Sequence, residues 1–160
     1  MLKLIRLLPL LVMFALPTEA SDLKTGVDAF DKGDYATALR ELKPLAEKGQ
    51  SVAQVTLGLM YYQANGVAQD YHEALKWFLR AADQGEEMAQ LSLGFLYAAG
   101  QGVDKDFVQA YMRLSLCVAD PNVGANCRKN RELVSNQMTP TQIAEGQRLA
   151  ADWKQKHGKK

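Results

Sequence analysis

The chain has 160 residues, 48% of them hydrophobic and 23% charged, with 19 lysines and arginines against 18 aspartates and glutamates. This near-balance argues against a general nucleic-acid-binding surface, which needs a basic surplus to displace counterions from phosphates. Two histidines and two cysteines without clustered spacing also argue against a zinc site. We therefore predict no nucleic-acid partner, no metal and no cofactor.

Residues 1–20 have the composition of a cleaved signal peptide. Lys3 and Arg6 supply the positive start, residues 7–16 form an apolar run, and the small side chains of Thr18 and Ala20 lie where a signal peptidase would cut. The run is about half of the roughly 20 apolar residues that a membrane span requires, and no later segment approaches that length. We expect export to the periplasm or out of the cell, without stable membrane insertion.

The rest of the chain repeats itself at a spacing of 36 residues, as when Ala53 recurs as Ala89. Repetition of this kind is typical of proteins in which each unit is one pair of secondary-structure elements. The same spacing places Asp34 before Asp70, so the register also extends towards the N-terminus. Further matched positions are Leu57 with Leu93, Gly58 with Gly94, Tyr61 with Tyr97, Gly66 with Gly102, and Asp70 with Asp106.

Each unit is predicted to form two antiparallel helices. Ala53, Leu57 and Tyr61 are four residues apart, which places them on one face of the first helix. Gly58 and Gly94 fall in the middle of the first helices, where glycine lowers helix stability by about 1 kcal/mol relative to alanine. Their recurrence indicates that a neighbouring helix approaches closely at these positions.

The ends of the helices are also marked in the sequence. The first helices are expected to stop at residues 65–66 and 100–102, because the glycines there can adopt the positive φ that ends a helix. The second helices are expected to begin with capping boxes, in which a side chain caps the helix and the third residue after it closes the box. These pairs are Asp70 with Glu73 and Asp106 with Gln109.

Two cysteines depart from the repeated pattern. Cys117 and Cys127 lie on either side of a turn at residues 120–122, at nearly level positions of a predicted antiparallel pair. An oxidising compartment favours a disulfide between them, and loop entropy predicts that such a bond contributes roughly 3 kcal/mol to stability. Two buried thiols are the alternative.

The motif A-Q-x-x-L-G-x-x-Y, followed by G-V-x-x-D-Y-x-x-A and W-F-x-x-A-A-x-x-G, resembles the Sel1-like repeat, a relative of the tetratricopeptide repeats. The resemblance implies an all-α, right-handed solenoid of about eight helices that binds another protein as an adaptor, scaffold or regulator. It divides the chain into full repeats at about residues 50–85 and 86–121, half-units or caps at 22–49 and 122–157, and a basic tail at 158–160.

The C-terminal segment also resembles the closing helix of exported bacterial members of this family. Thr139 is expected to be its N-cap, with Pro140 at the first helical position. Gln142, three residues after the cap, completes the pattern of a capping box. The sequence therefore predicts that a helix begins here and closes the solenoid.

The first helices of the two repeats supply the candidate partner-binding site. An apolar stripe there is expected to line the concave groove, and a place in the core between repeats is the alternative. The partner is expected to be another protein, and the chain itself is expected to be a monomer. Residues 21–120 carry 9 basic and 14 acidic side chains, whereas residues 121–160 carry 8 basic and 3 acidic ones. This uneven charge is expected to orient the partner on the solenoid. The candidate residues are Val55, Leu59, Tyr62, Gln63, Leu91 and Phe95.

A second function follows from the cysteine-rich Sel1-like proteins, to which penicillin binding and weak β-lactam hydrolysis are ascribed. Residues 21–24 spell S-x-x-K and residues 24–26 spell K-T-G, two fragments of serine penicillin-recognising enzymes. The fragments share Lys24, and one lysine cannot fill both roles in one site. The sequence therefore predicts no catalytic residue and no enzyme, and partner binding is the favoured function.

Overall fold

The structure is a computed structural model, and it describes residues 19–158. The predicted signal peptide lies outside these residues except for its last two positions, as do residues 159 and 160 of the basic tail. The described part of the chain contains eight α-helices and no strand. The helices are α1 (Glu19–Asp31), α2 (Tyr35–Glu47), α3 (Ser51–Gln63), α4 (Tyr71–Ala82), α5 (Glu87–Ala99), α6 (Phe107–Leu116), α7 (Gly124–Ser135) and α8 (Pro140–His157).

Consecutive helices pack in pairs, α1 with α2, α3 with α4, and α5 with α6. The second helix of each pair also packs against the first helix of the next, which joins α2 to α3, α4 to α5 and α6 to α7. Stacking in which each unit contacts only its neighbours is the architecture of an α-solenoid. The predicted all-α solenoid is confirmed.

Two mid-helix glycines mark the closest contacts within the pairs. A Cβ atom added at Gly58 would lie 2.5 Å from Cε1 of Phe78, and one added at Gly94 would lie 2.6 Å from Cγ of Leu114. Real Cβ atoms do not come this close to carbon atoms, so only glycine lets α3 meet α4 and α5 meet α6 at this distance. The predicted close approach at both glycines is confirmed.

An aspartate begins the second helix of each pair. The carboxylates of Asp34, Asp70 and Asp106 accept hydrogen bonds from backbone N–H groups three residues later, at 3.0–3.2 Å. The boxes predicted at α4 and α6 are only half formed, since just the aspartate half of each is present. At α4 the carboxylate of Glu73 pairs with Lys76 at 3.1 Å instead. These caps satisfy N–H groups that have no partner inside the helix.

Helices α3 and α5 each end at a residue with a left-handed backbone conformation, and in α3 this residue is not the predicted one. In α5 the residue is Gly100, with φ of 69°, as expected. In α3 it is Ala64, with φ of 59°, which precedes the predicted stop at residues 65–66. Ala64 and Gly100 occupy the same place in the repeat, so the prediction was wrong by assuming that a glycine must fill it.

Two buried glutamines join successive pairs of helices. The Nε2 of Gln54 donates to the carbonyl of Ala46 at 3.0 Å, and the Nε2 of Gln90 donates to the carbonyl of Ala82 at 3.1 Å. Both carbonyls lie in the last turn of a helix, where backbone acceptors lack partners within the helix. The repeated glutamine therefore fastens each first helix to the end of the preceding pair.

The C-terminal pair departs from the regular arrangement. Both α7 and α8 pack mainly against α6, and α8 comes so close that a Cβ at Gly146 would lie 2.8 Å from Cδ1 of Tyr111. The helix α8 begins as predicted, with a full capping box between Thr139 and Gln142 and with Pro140 in its first turn. It closes the solenoid by covering α6 instead of forming a tight hairpin with α7.

Candidate functional site

A groove lies between the two first helices α3 and α5, with α4 beneath them. Its volume is about 260 Å³. Phe78 of α4 is fully buried and forms the floor, so the groove depends on the close contact of that ring with Gly58. The lining residues are Leu59, Tyr62, Gln63, Phe78, Met88, Leu91, Ser92 and Phe95.

Two large apolar side chains of the groove are open to solvent. Phe95 is 41% exposed and Met88 is 39% exposed. Among the described residues, only Val52 and Leu133 are other large hydrophobic residues with comparable exposure. Apolar side chains clustered around a concave surface are typical of binding sites, because covering them with a partner removes unfavourable contact with water.

The structure brings together five of the six residues predicted to bind a partner. Leu59, Tyr62 and Gln63 lie on one side of the groove, and Leu91 and Phe95 lie on the other. Leu91 is also part of the core that surrounds the two cysteines, and only a small part of its side chain is exposed to the groove.

Val55 does not line the groove. It is 9% exposed and packs in the core with Ala74 and Phe78. Val55 lies one helical turn before Leu59, and at that level α3 is covered by α4 and α5. For this residue the alternative of a core position is the correct one.

Three lining residues were not predicted. Met88 and Ser92 lie four residues apart and share a face of α5 with Phe95, so helical periodicity alone would have found them. Phe78 belongs to a second helix, and its place at the floor follows from tertiary packing that the sequence does not display.

The groove contains no charged side chain. α3 has no lysine, arginine, aspartate or glutamate, and the one acidic residue of α5, Glu87, is not among the lining residues. The polar groups are the phenol of Tyr62, the amide of Gln63, whose oxygen accepts from Asn65, and the hydroxyl of Ser92, which donates to the carbonyl of Met88. This lining has no acid, base or nucleophile pair for catalysis, and it suits the burial of apolar side chains.

A disulfide joins Cys117 to Cys127, as the sequence predicts. Both residues are fully buried, and their Cα atoms are 5.9 Å apart. The bond connects the C-terminal end of α6 to the first turn of α7. It therefore holds the last units of the solenoid together.

The fragments S-x-x-K and K-T-G lie in a single helix, α1. Lys24, which both fragments contain, pairs with Asp28 one turn later, and this hydrogen bond lowers the pKa of the Asp28 carboxyl. Gly26 packs against Leu42. The site of a penicillin-recognising enzyme, in which the two lysines come from separate segments, is not assembled here.

Between residues 19 and 158 no group of three or more histidines, cysteines, aspartates or glutamates is placed to hold a metal ion. Within the same range, none of the helices has the length and apolar character needed to cross a membrane.

Comparison with protein families identifies the repeated unit. The family model of the Sel1 repeat matches residues 51–86 and residues 87–112. The chain carries two Sel1 repeats. The first match covers the pair α3–α4, and the second covers α5 and the first part of α6. Together they include both walls and the floor of the groove.

Two solved structures are similar to the Sel1 solenoid described here. One is a protective antigen of uropathogenic Escherichia coli with an SLR fold, at a TM-score of 0.80 and 28% identity over 88% of this chain. The chain spans only 30% of that antigen. The other is a Sel1 repeat protein from Oxalobacter formigenes, at a TM-score of 0.63 and 29% identity, with 72% of this chain and 89% of that chain covered. None of the curated proteins compared with the chain matches it.

Sel1 repeats typically form protein–protein interaction modules. In solenoids of this kind the concave surface is the extended binding surface. The apolar groove between α3 and α5 is therefore the candidate partner-binding site of the chain.

Proposed function

We propose that this protein is an exported adaptor or scaffold that binds an apolar segment of another protein in the groove between α3 and α5. The observation that carries the proposal is the groove itself, which is concave, uncharged and edged by the exposed side chains of Met88 and Phe95. A partner that inserts a leucine or phenylalanine would gain about 1.5–3 kcal/mol from the burial of that side chain.

The size of the groove supports a protein partner. Its volume of about 260 Å³ lies below the roughly 300–1,000 Å³ of typical small-molecule sites. It is large enough for an anchoring side chain, and the rest of the segment would lie along α3 and α5. An amphipathic helix or an extended peptide presents such an anchor, with its other residues on the rim of the groove.

Two observations support export. Residues 1–20 have the three regions of a signal peptide. The disulfide between Cys117 and Cys127 is of a kind that persists in oxidising compartments and is rare in the cytosol. We therefore place the adaptor in the periplasm or outside the cell.

The test is affinity capture of partners from the cell envelope with a double variant, Leu59→Asp with Phe95→Asp. Charged side chains at these two positions oppose the burial of an apolar anchor, so the enriched partner should be lost. Leu133→Asp is the matched control, because Leu133 is 56% exposed on α7 and lies outside the groove. Circular dichroism checks that all variants keep their helices.

A photo-crosslinking residue at position 95 provides an independent readout. The proposal expects one protein to be crosslinked from position 95 and not from position 133. Equal capture by the double variant and by Leu133→Asp would refute the groove as the binding site. Failure to enrich any protein with the unmodified chain would refute the adaptor function.

A further inference from the structure

A second recess lies at the C-terminal end of the solenoid, between α7 and α8. It forms because both helices pack against α6 and leave a cleft between them. Two adjoining cavities of about 400 and 360 Å³ occupy this cleft and share Tyr111 and Arg131. Tyr111 of α6 is largely buried and forms the floor, while α7 and α8 form the walls.

The cleft walls carry unpaired positive charge. Arg128 and Arg131 lie on α7 and Lys154 lies on α8, and Glu132 is the one acidic lining residue, which leaves an excess of two positive charges. None of these three cations takes part in an ion pair within the described residues. Arg148, also on α8 but outside the cleft, is paired with both Glu145 and Asp152.

The geometry of the floor suits a planar anion. The guanidinium of Arg131 lies 5.7 Å from the centre of the Tyr111 ring, within the range of a cation–π contact, and its planar donors match a carboxylate. Across the cleft, the Nε2 of Gln147 lies 3.5 Å from the hydroxyl of Tyr111. A guanidinium, an amide and a phenol around one recess are groups that hydrogen-bond to a carboxylate.

We infer that this cleft binds the carboxylates of an acidic segment of a partner protein. The cations come from both walls of the recess, so a segment with successive glutamates or aspartates would pair with Arg128 or Arg131 on α7 and with Lys154 on α8. Arg128 and Lys154 are exposed at the edges of the recess and Arg131 is half-buried, so all three are accessible to a segment of a partner that lies across it. The inference does not depend on the groove between α3 and α5, which is lined by different residues.

Fluorescence anisotropy with a short labelled peptide that alternates glutamate with serine tests this inference. The peptide should bind at low ionic strength, and the matched glutamine–serine peptide should not. Arg131→Gln and Lys154→Gln should each weaken binding about tenfold or more, as expected for the loss of a charge-assisted hydrogen bond. Arg131→Lys should fall between the wild type and Arg131→Gln, because lysine keeps the charge and loses the planar donors.

Lys129→Gln and Lys156→Gln are the matched controls. Each removes one exposed positive charge from the same two helices without touching the cleft, so each should weaken binding less than about twofold. Equal losses in the controls would overturn the inference in favour of diffuse attraction. Competition by inorganic phosphate as effective as that of the peptide, or binding of anionic phospholipid vesicles without binding of the peptide, would overturn it as well. The double variant Leu59→Asp with Phe95→Asp should bind the peptide normally, which separates this test from that of the groove.

Discussion

In the first repeat the buried amide oxygen of Gln54 accepts its hydrogen bond from Gln84, whereas in the second repeat the matching oxygen of Gln90 accepts from Arg113. The position that matches Gln84 is Asp120, whose side chain has no N–H group to donate. Its carboxylate instead accepts from two backbone N–H groups in the turn before α7. The two repeats therefore keep the buried glutamine and exchange the residue that satisfies it.

The two repeats also differ in how they end. Helix α4 has 12 residues and leads through a short turn into α5, whereas α6 has 10 residues and ends at a disulfide-bonded cysteine. The buried Arg113 of the second repeat matches Trp77 of the first. Burial lowers the pKa of the Arg113 guanidinium. The first repeat is joined to its neighbours by packing and by the hydrogen bonds of Gln54. The second adds a disulfide and a buried cation where the solenoid ends.

The largest effect is expected from removing the covalent bond. Cys117→Ala with Cys127→Ala should lower the free energy of unfolding by about 3 kcal/mol, because the closed loop no longer restricts the unfolded chain. Denaturant titration measures the loss, and hydrogen exchange should locate it in α7 and α8 while α3 and α4 stay protected. Reducing the disulfide of the wild type should reproduce the loss. A change below about 1 kcal/mol would show that packing alone closes the solenoid.

Substituting residues of the first repeat at the matching positions of the second should destabilise the protein less than removing the disulfide. Arg113→Trp leaves the buried oxygen of Gln90 without a donor, and we expect a loss of about 1–3 kcal/mol. Asp120→Gln restores the donor found in the first repeat. The double variant should therefore be more stable than the sum of the two single changes predicts, by about 1 kcal/mol or more in a double-mutant cycle. Strict additivity would contradict the exchange of partners between the repeats.

Both repeats have an aspartate N-cap, but Asp70 accepts from the N–H groups of His72 and Glu73 whereas Asp106 accepts from that of Gln109, so the loss at Asp70 should be the larger. Asp70→Ala and Asp106→Ala each remove a side-chain acceptor from the first turn of a second helix, and each should cost about 1 kcal/mol. Asp104→Ala is the control, since Asp104 is exposed and lies in the loop before the cap. Thermal unfolding of the three variants compares them. Losses no larger than that of Asp104→Ala would show that these side-chain caps do not stabilise the second helices.

The features that could be predicted from the sequence are those set by local chemistry. The aspartate caps, the glycines at the close contacts and the capping box of α8 each depend on a few neighbouring residues. Most of the groove followed from the spacing of apolar residues on the first helices. The burial of Val55 and the position of Phe78 did not, because they depend on how far each helix is rotated towards its neighbours.

The first pair of helices was also hard to recognise from the repeat. The connection between α1 and α2 covers residues 32–34, whereas the matching connection between α3 and α4 covers residues 64–70. Gly26 lies against Leu42 in the way that Gly58 lies against Phe78. Because of the shorter loop, Gly26 precedes Gly58 by 32 residues, whereas Leu42 precedes Phe78 by 36. A search at one fixed spacing finds α2 and misses α1.

The smallest effect is expected at the ends of the first helices, where the repeats again differ by one residue. Ala64 adopts a left-handed conformation that Gly100 adopts at the matching position, and the Cβ of alanine makes that conformation less favourable. Ala64→Gly should therefore raise the free energy of unfolding by up to about 1 kcal/mol, and Gly100→Ala should lower it by a similar amount. Thermal unfolding of both variants measures these changes in stability. Ala99→Gly is the control, because a glycine inside α5 should destabilise the protein. If Ala64→Gly is also destabilised, the helix end of the first repeat is held by contacts of the alanine methyl group, and the two ends are equivalent only in backbone conformation.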